Sequence, residues 1–273
     1  MIAERATISR AAERRWRRIV RDPRLLSPLV LLVALFAWDR IVIWMQVPTY
    51  VLPAPASVGR ALVNGFSSGL YVEHLLWTIR ETVLGFLVAS VVATAVGAIL
   101  VQSRTLEAVV QPYLVAFQSF PKIALAPMIV LWLGYDVQSK VAVAAVTAFF
   151  PVVINVMTGL RTVDRDRLDL MTALRADRWQ TFRELRFPNA LPFLFAGLQL
   201  ALVFAMLGAI VGEFVGSRKG LGVLLLTYDA DLDIAGVFSI FVILALLGVV
   251  LFTAMQWISR RIVFWTDTET IVA

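Results

Sequence analysis

The sequence predicts an all-α protein that crosses a membrane about six times. Of its 273 residues, 60% are hydrophobic and 16% are charged, whereas soluble globular domains contain about 45–50% apolar residues. Apolar runs of about 17–25 residues, the length of a helix that spans a bilayer, recur along the chain. No alternating pattern typical of a closed barrel accompanies them, and in lipid only helices and closed barrels satisfy their own backbone hydrogen bonds.

The spans are predicted from the apolar runs in order. We place them at 27–47, 77–101, 109–133, 139–160, 190–215 and 234–258. Asp39 and Arg40 interrupt the first span, and adjacent opposite charges are expected to pair or to reach towards the membrane surface. A proline-rich connection follows, in which Ser57 is a candidate cap for a short surface helix. The second span carries small residues every fourth position, at Gly85, Ala89, Ala93 and Gly97, which predicts close helix packing.

The third span contains Pro112, Pro121 and Pro127. Proline removes a backbone hydrogen bond and kinks a helix, so we predict a span with breaks. Broken helices in membranes are tolerated where the freed backbone is buried in protein or lines a water-filled cavity. Gln118 and Ser119, beside one of these prolines, are therefore predicted to line a pathway.

The distribution of positive residues along the chain is explained by membrane topology. The formal net charge is +6, with eight arginines before the first apolar run and seven between 161 and 186. Positive residues near span ends mark the cytoplasmic side, so we predict cytoplasmic termini and no nucleic-acid partner. The expected organisation is a basic cytoplasmic segment at 1–26, a transmembrane domain at 27–265 with a cytoplasmic loop at 161–189, and a cytoplasmic tail at 266–273.

Several kinds of chemistry are excluded by composition. The chain has no cysteine and one histidine, His74, which excludes disulfides, thiolate metal sites and multi-histidine metal sites. It has no Gly-x-x-x-x-Gly-Lys-Ser/Thr loop to hold nucleotide phosphates. We therefore expect no catalysis, no metal and no bound cofactor in this chain, and an integral-membrane enzyme is disfavoured.

The loop at 161–189 is polar, although it lies between two apolar spans. Its segment 169–178 is predicted as a short helix with Leu170, Ala173 and Leu174 on one face and charged residues on the other. Such a helix could place its apolar face in a groove of a partner, or pack on its own chain. The residues alone leave these two interpretations equally open.

The same loop resembles that of the permeases of binding-protein-dependent ABC importers. Their pattern is Glu-Ala-Ala, three residues, Gly, nine residues, then Ile-x-Leu-Pro. Asp169 matches the Glu, Leu170 and Met171 match the alanines, Arg175 matches the glycine, and 185–188 matches the ending. The spacing is kept, while Arg175 and the two missing alanines depart from the pattern.

Further similarities follow in order along nearly the whole chain and narrow the resemblance to the nitrate, taurine and alkanesulfonate type. They lie at 52–55, 78–86, 120–127, 149–155, 179–182 and 212–222. The resemblance implies a type I ABC importer permease fold in a bacterial inner membrane. It also implies a second copy of the permease, two ATPase subunits that bind ATP and magnesium, and an external solute-binding protein.

The resemblance also implies which residues couple to the ATPase. They are Asp169, Leu170, Met171, Thr172, Ala173, Leu174, Arg175 and Ala176. The implied solute is a sulfonate, taurine, nitrate or another small organic anion. A vitamin precursor or other neutral molecule is the alternative, and a secondary transporter driven by an ion gradient is less favoured because no internal repeat is found.

Polar residues within or beside the spans are candidates for the pathway. Each needs a partner or water, since burying an unpaired polar group costs about 2–7 kcal/mol. The candidates are Gln118, Ser119, Lys122, Asn155 and Glu213. For Asn155, and for nearby Thr147, hydrogen bonding between helices is the favoured interpretation. Lys122 could attract an anionic solute or pair with Glu213, and the sequence does not decide between these roles.

Overall fold

The computed structural model describes residues 23–265, which are helical along most of their length. The first half forms α1 (Pro23–Trp44), α2 (Pro55–Ser67), α3 (Leu70–Leu100), α4 (Arg104–Ser119) and α5 (Ala126–Leu133). The second half forms α6 (Val137–Arg161), α7 (Arg165–Ala173), α8 (Arg178–Thr181), α9 (Phe187–Gly216), α10 (Leu221–Ala230) and α11 (Ile234–Ile262). The predicted tail at 266–273 lies outside the described residues, as does the predicted basic segment except for 23–26.

Within the described residues, four helices are long and apolar enough to cross a membrane. They are α3, α6, α11 and the continuous helix Arg178–Gly216, which joins α8 to α9 through a π-helical turn at Phe182–Arg186. Counting α4 and Lys122–Leu133 as one span bent by 82° makes five. The prediction of an all-α, multi-pass membrane protein is confirmed.

The first predicted span corresponds to α1, which is not among those four or five in the described part of the chain. Its apolar residues Leu29, Leu32 and Phe36 are more than half exposed, as expected of a helix that faces lipid. Arg40 pairs with Asp39 at 2.6 Å, so the predicted pairing of these adjacent charges is confirmed.

The segment between α1 and α3 differs in detail from the prediction. Ser57 lies inside α2 and does not cap it, because α2 begins after Ala54 with Pro55 in its first turn, a position that suits the fixed φ of proline. α3 begins at Leu70, seven residues before the predicted start at 77. Gly69, with φ of +77°, turns the chain from α2 into α3.

The predicted break in the third span occurs at Pro121. Phe120 adopts an extended conformation with φ of −71° and ψ of 137°, because the residue before a proline is disfavoured in the helical region. A short 3₁₀ turn at Lys122–Leu125 then leads into α5. Pro112 remains inside α4, and Pro127 lies in the first turn of α5, where proline is tolerated.

The core is formed where α3, α6 and α9 pack together through small residues, as their spacing predicts. Gly85 on α3 faces Ala144 on α6, and Gly208 on α9 faces Thr147 on α6. A side chain at either glycine would overlap these neighbours, so the backbones approach closely. α4 packs less tightly: Glu107, which pairs with Arg161 of α6, is its only buried residue.

Candidate coupling segment and translocation pathway

The loop between α6 and α9 folds into two short helices with well-formed ends. The Asp164 side chain accepts the amide of Asp166 at 3.1 Å and caps α7. Asp177 caps α8 in a reciprocal arrangement with Gln180, in which both side-chain-to-backbone distances are 2.8 Å. Each cap satisfies a backbone amide that lacks a partner in the first turn of a helix.

The predicted single helix at 169–178 is therefore wrong in its extent. α7 begins four residues earlier, at Arg165, and ends at Ala173. Arg175 follows with φ of +54°, which is the left-handed region. The amide of Arg175 donates to Thr172 O at 3.0 Å, and that of Ala176 to Met171 O at 2.9 Å.

These two bonds form the Schellman motif that commonly ends a helix with a left-handed residue, usually glycine. Arg175 occupies the left-handed position, which is also the position of the glycine in the permease pattern. The predicted alignment of the loop with the permease pattern thus puts the glycine of the pattern at the one position of this turn that needs a positive φ. In this chain Arg175 adopts that conformation.

The coupling candidates lie on an exposed surface. None of the residues of α7 is buried, and Leu170 and Leu174 are 58% and 68% exposed. Asp169, Thr172, Ala173 and Arg175 are also exposed, whereas Met171 and Ala176 are half-buried. The predicted apolar face of Leu170, Ala173 and Leu174 is therefore left uncovered by residues 23–265.

Two hydrogen bonds join the two ends of this loop, and neither was predicted from the sequence. Asn189, in the first turn of α9, donates from Nδ2 to Gly159 O at 3.0 Å and to Thr162 O at 3.3 Å. In the sequence, Asn189 is marked only as a polar side chain between Pro188 and an apolar run. The bonds hold the start of α9 against the end of α6, so the exposed segment is anchored at both ends.

Three of the pathway candidates come together at the break between α4 and α5. Gln118 and Ser119 are exposed, and the Ser119 hydroxyl donates to Val115 O at 3.1 Å. Lys122 donates from Nζ to Gln118 O at 2.9 Å and lies 4.8 Å from the centroid of the Phe150 ring. The hypothesis that Lys122 pairs with Glu213 is wrong, because both side chains have other partners.

Asn155 and Thr147 form hydrogen bonds within the helix core. Asn155 donates from Nδ2 to Pro151 O at 2.8 Å and packs against Gly197 of α9. The Thr147 hydroxyl lies 3.0 Å from Phe204 O, across the interface between α6 and α9. Thr147 thus makes the hydrogen bond between helices that was favoured for both residues. The hydrogen bond of Asn155 stays within α6, so that interpretation is wrong for Asn155.

Glu213 is buried at the opposite end of α9 from the coupling segment, and it accepts two hydrogen bonds. Thr78 of α3 donates to its Oε1 at 2.6 Å, and the amide of Gly222 donates to its Oε2 at 2.5 Å. Only 1% of Glu213 is exposed. Among the pathway candidates, Glu213 therefore joins elements inside the fold rather than facing a cavity.

Other buried polar residues, not selected as site residues from the sequence, surround this position. Lys140 donates from Nζ to Tyr135 O at 2.5 Å and to Gly216 O at 2.7 Å. His74 Nδ1 lies 2.8 Å from Gly220 O. Glu81 and Lys140 are each 1% exposed. The sequence could have indicated them, because each is an ionisable residue within or beside a predicted span.

The fold agrees with the comparison with known proteins. Residues 81–264 match the model of a family described as "Binding-protein-dependent transport system inner membrane component". The chain belongs to this family. It is thus a multi-pass permease subunit of an ABC transporter of the importer class, and the resemblance predicted from the sequence is confirmed.

This permease is similar to relatives whose names give different solutes. The riboflavin transport system permease protein of Chloroflexus aurantiacus is 36% identical over 89% of this chain and 91% of the relative. The formylaminopyrimidine transport permease protein of Halalkalibacterium halodurans is 34% identical over 81% and 88%. The putative aliphatic sulfonates transport permease protein of Bacillus subtilis is 29% identical over 80% and 79%.

The fold is also that of solved ABC transporters. An inward-facing structure of the MetNI methionine ABC transporter aligns with a TM-score of 0.60 over 68% of this permease and 93% of that chain, at 22% sequence identity. This similarity confirms the type I importer permease fold.

Proposed function

We propose that this permease is the transmembrane subunit of an ATP-driven importer. Two copies form the pore, and an external binding protein delivers the solute. ATP and magnesium bind to two separate ATPase subunits. The observation that carries the proposal is the exposed helical segment between α6 and α9, whose apolar side chains have no covering partner within the described chain.

The ATPase contact is proposed on this segment. The residues assigned to it are Asp169, Leu170, Met171, Thr172, Ala173, Leu174, Arg175 and Ala176. An amphipathic helix that inserts apolar side chains into a groove is a common mode of recognition. Arginines cluster in the same loop, and positive residues favour the cytoplasmic side, where ATP is available. We propose on the same ground that both termini lie in the cytoplasm.

The pathway is proposed at the break between α4 and α5. Gln118 and Ser119 are exposed there and Lys122 is half-buried. Irregular backbone at membrane depth requires either protein cover or a water-filled cavity, and the described part of the chain leaves the break exposed. Asn155 and Glu213 have supporting roles in this proposal, because their polar atoms are bonded within the helix core.

Two solute classes are compatible with this function. One is a sulfonate, taurine, nitrate or another small organic anion, and the other is a vitamin precursor or a neutral small molecule. The relatives support both, since their names include an aliphatic sulfonate permease, a riboflavin permease and a formylaminopyrimidine permease.

The experiment that tests this function is purification of the permease from its native membrane in a mild detergent, with mass spectrometry of the proteins that accompany it. We expect a stoichiometric ATPase, and we expect it to be lost when 170–175 is replaced by a glycine–serine run. The control is the same replacement at 46–51, in the connection between α1 and α2, which should keep the ATPase. A permease that purifies alone and transports with only an ion gradient would contradict the proposal.

A further inference from the structure

The break between α4 and α5 is surrounded by aromatic rings. Phe117 of α4 and Phe150 of α6 stack with a centroid distance of 6.5 Å and an interplanar angle of 23°. Phe149 meets Phe150 edge-on at 5.2 Å. Phe117 is 61% exposed and Phe120 is 44% exposed. Phe117 therefore presents most of its surface outside the fold, and Phe120 presents nearly half.

Lys122 adds one positive charge to this group. Its Nζ lies against the Phe150 ring and gives one hydrogen bond to Gln118 O. A lysine ammonium has three donors, so donors remain for a ligand. Within residues 23–265, no carboxylate lies within ion-pairing distance of Lys122.

Contact with lipid alone does not account for this combination. Exposed phenylalanines are ordinary on the lipid face of a span, but a lysine and a non-helical backbone are costly there. Here the lysine and the non-helical backbone both occur within five residues of Phe117, whose ring is exposed, and beside Gln118 and Ser119. The arrangement fits a surface that meets water and a solute.

The chemistry of this surface discriminates between solutes. Aromatic rings stack on flat rings in offset or edge-on geometry, with an attraction beyond that of burying their surface. The ammonium can donate to a carbonyl, a ring nitrogen or an anionic group at the edge of such a ring. A small aliphatic anion could use the charge, but it would gain nothing specific from the rings.

We infer that this aromatic surface, formed by Phe117, Phe120 and Phe150 with Lys122, contacts a planar heteroaromatic solute on its way through the pore. The inference rests on the proposed function, because it takes the break between α4 and α5 as part of the pathway. Phe117 is the specificity-determining ring, since it is the most exposed of the three, and Lys122 supplies the hydrogen-bond donor.

The test uses the absence of cysteine from the natural chain. Ser119→Cys places a single thiol at the break, and its modification by a membrane-impermeant thiol reagent is followed in the complete transporter in nanodiscs. We expect the thiol to be modified, and we expect riboflavin to slow the reaction several-fold while taurine, an aliphatic sulfonate, leaves it unchanged. Protection by taurine equal to that by riboflavin would overturn the inference.

Two further variants assign the effect to the ring. Phe117→Leu in the Ser119→Cys background should abolish protection by riboflavin, whereas Phe241→Leu, at an exposed phenylalanine of α11, should preserve it. Protection that survives Phe117→Leu would overturn the role of Phe117. If ATP-dependent uptake and the ATPase remain in those cases, the proposed function stands while the inference fails. A thiol that never reacts would overturn both the pathway and the inference.

Discussion

The Thr78 hydroxyl donates a 2.6 Å hydrogen bond to Oε1 of Glu213, which joins α3 to α9 across 135 residues of sequence. The same Thr78 oxygen accepts the amide of Leu221 at 2.8 Å, and Glu213 Oε2 accepts the amide of Gly222 at 2.5 Å. The two side chains thus hold the start of α10 against two spanning helices.

Replacing Thr78 should destabilise this junction. Thr78→Val keeps the size of the side chain but removes the hydrogen-bond partner of Glu213 Oε1 and of the Leu221 amide. Each buried group left unpaired costs about 1–3 kcal/mol. We expect a lower midpoint of thermal unfolding in detergent. Thr227→Val is the matched control, because the exposed Thr227 hydroxyl bonds only to Val223 O one turn earlier, and its midpoint should match that of the wild type.

Gly220 should not tolerate a side chain. Its φ is +125° and its ψ is 159°, a region open to glycine that costs other residues about 1–3 kcal/mol. A Cβ atom at this position would also overlap the carboxyl group of Glu213. We expect Gly220→Ala to lower the unfolding midpoint and the yield of folded permease. Gly59→Ala in α2, where a Cβ meets open space, should be neutral or stabilising, and equal effects of the two changes would refute this account.

Placing glycine at position 175 should stabilise the turn after α7. Arg175 has φ of +54°, and the left-handed conformation costs a non-glycine residue about 1–2 kcal/mol. We expect Arg175→Gly to slow hydrogen exchange of the Ala176 amide by about fivefold to thirtyfold. Arg183→Gly, inside the continuous helix Arg178–Gly216, should speed local exchange, since glycine weakens a helix interior. Faster exchange at Ala176 in Arg175→Gly would contradict the strain assigned to this residue.

A charge on the apolar face of the coupling segment should uncouple transport. Ala173 is exposed in the last turn of α7, so Ala173→Glu should preserve folding and membrane insertion while it places a charge in the proposed ATPase groove. We expect loss of uptake and of solute-stimulated ATP hydrolysis in proteoliposomes. Thr105→Glu, an exposed position in the first turn of α4, serves as the control and should retain both activities. Unaltered uptake in Ala173→Glu would remove the coupling role.

Local patterns in the sequence predicted most of the helices. α11 begins at Ile234 as expected, and α6 begins at Val137, two residues before the predicted start at 139. The break at Pro121 and the packing face that includes Gly85 were also visible, because each depends on a residue and its immediate neighbours. The start of α3 at Leu70 was missed, since its first turns lie outside the continuous apolar run.

The permease pattern located the candidate coupling segment, but it did not reveal how the segment folds. The helix was expected to continue to 178, whereas it ends at Ala173 because Arg175 takes a left-handed conformation. Arginine carries no local signal for that conformation. The pairing of Asn189 with Gly159 and Thr162 likewise depends on where α6 and α9 come together.

The sequence by itself determined the membrane location, the order of the helices, the break at Pro121 and the family of this permease. The first three follow from hydrophobicity and from the conformational limits of proline, which act over a few residues. The family follows from the motifs that the chain shares with the permeases of binding-protein-dependent importers. Only the tertiary structure decided the partners of Glu213 and Lys122. From the sequence alone, each of these two side chains could have paired with any of several polar residues. The choice came from the close packing of α3, α6 and α9, which brings Thr78 to Glu213 and leaves Lys122 beside Phe150.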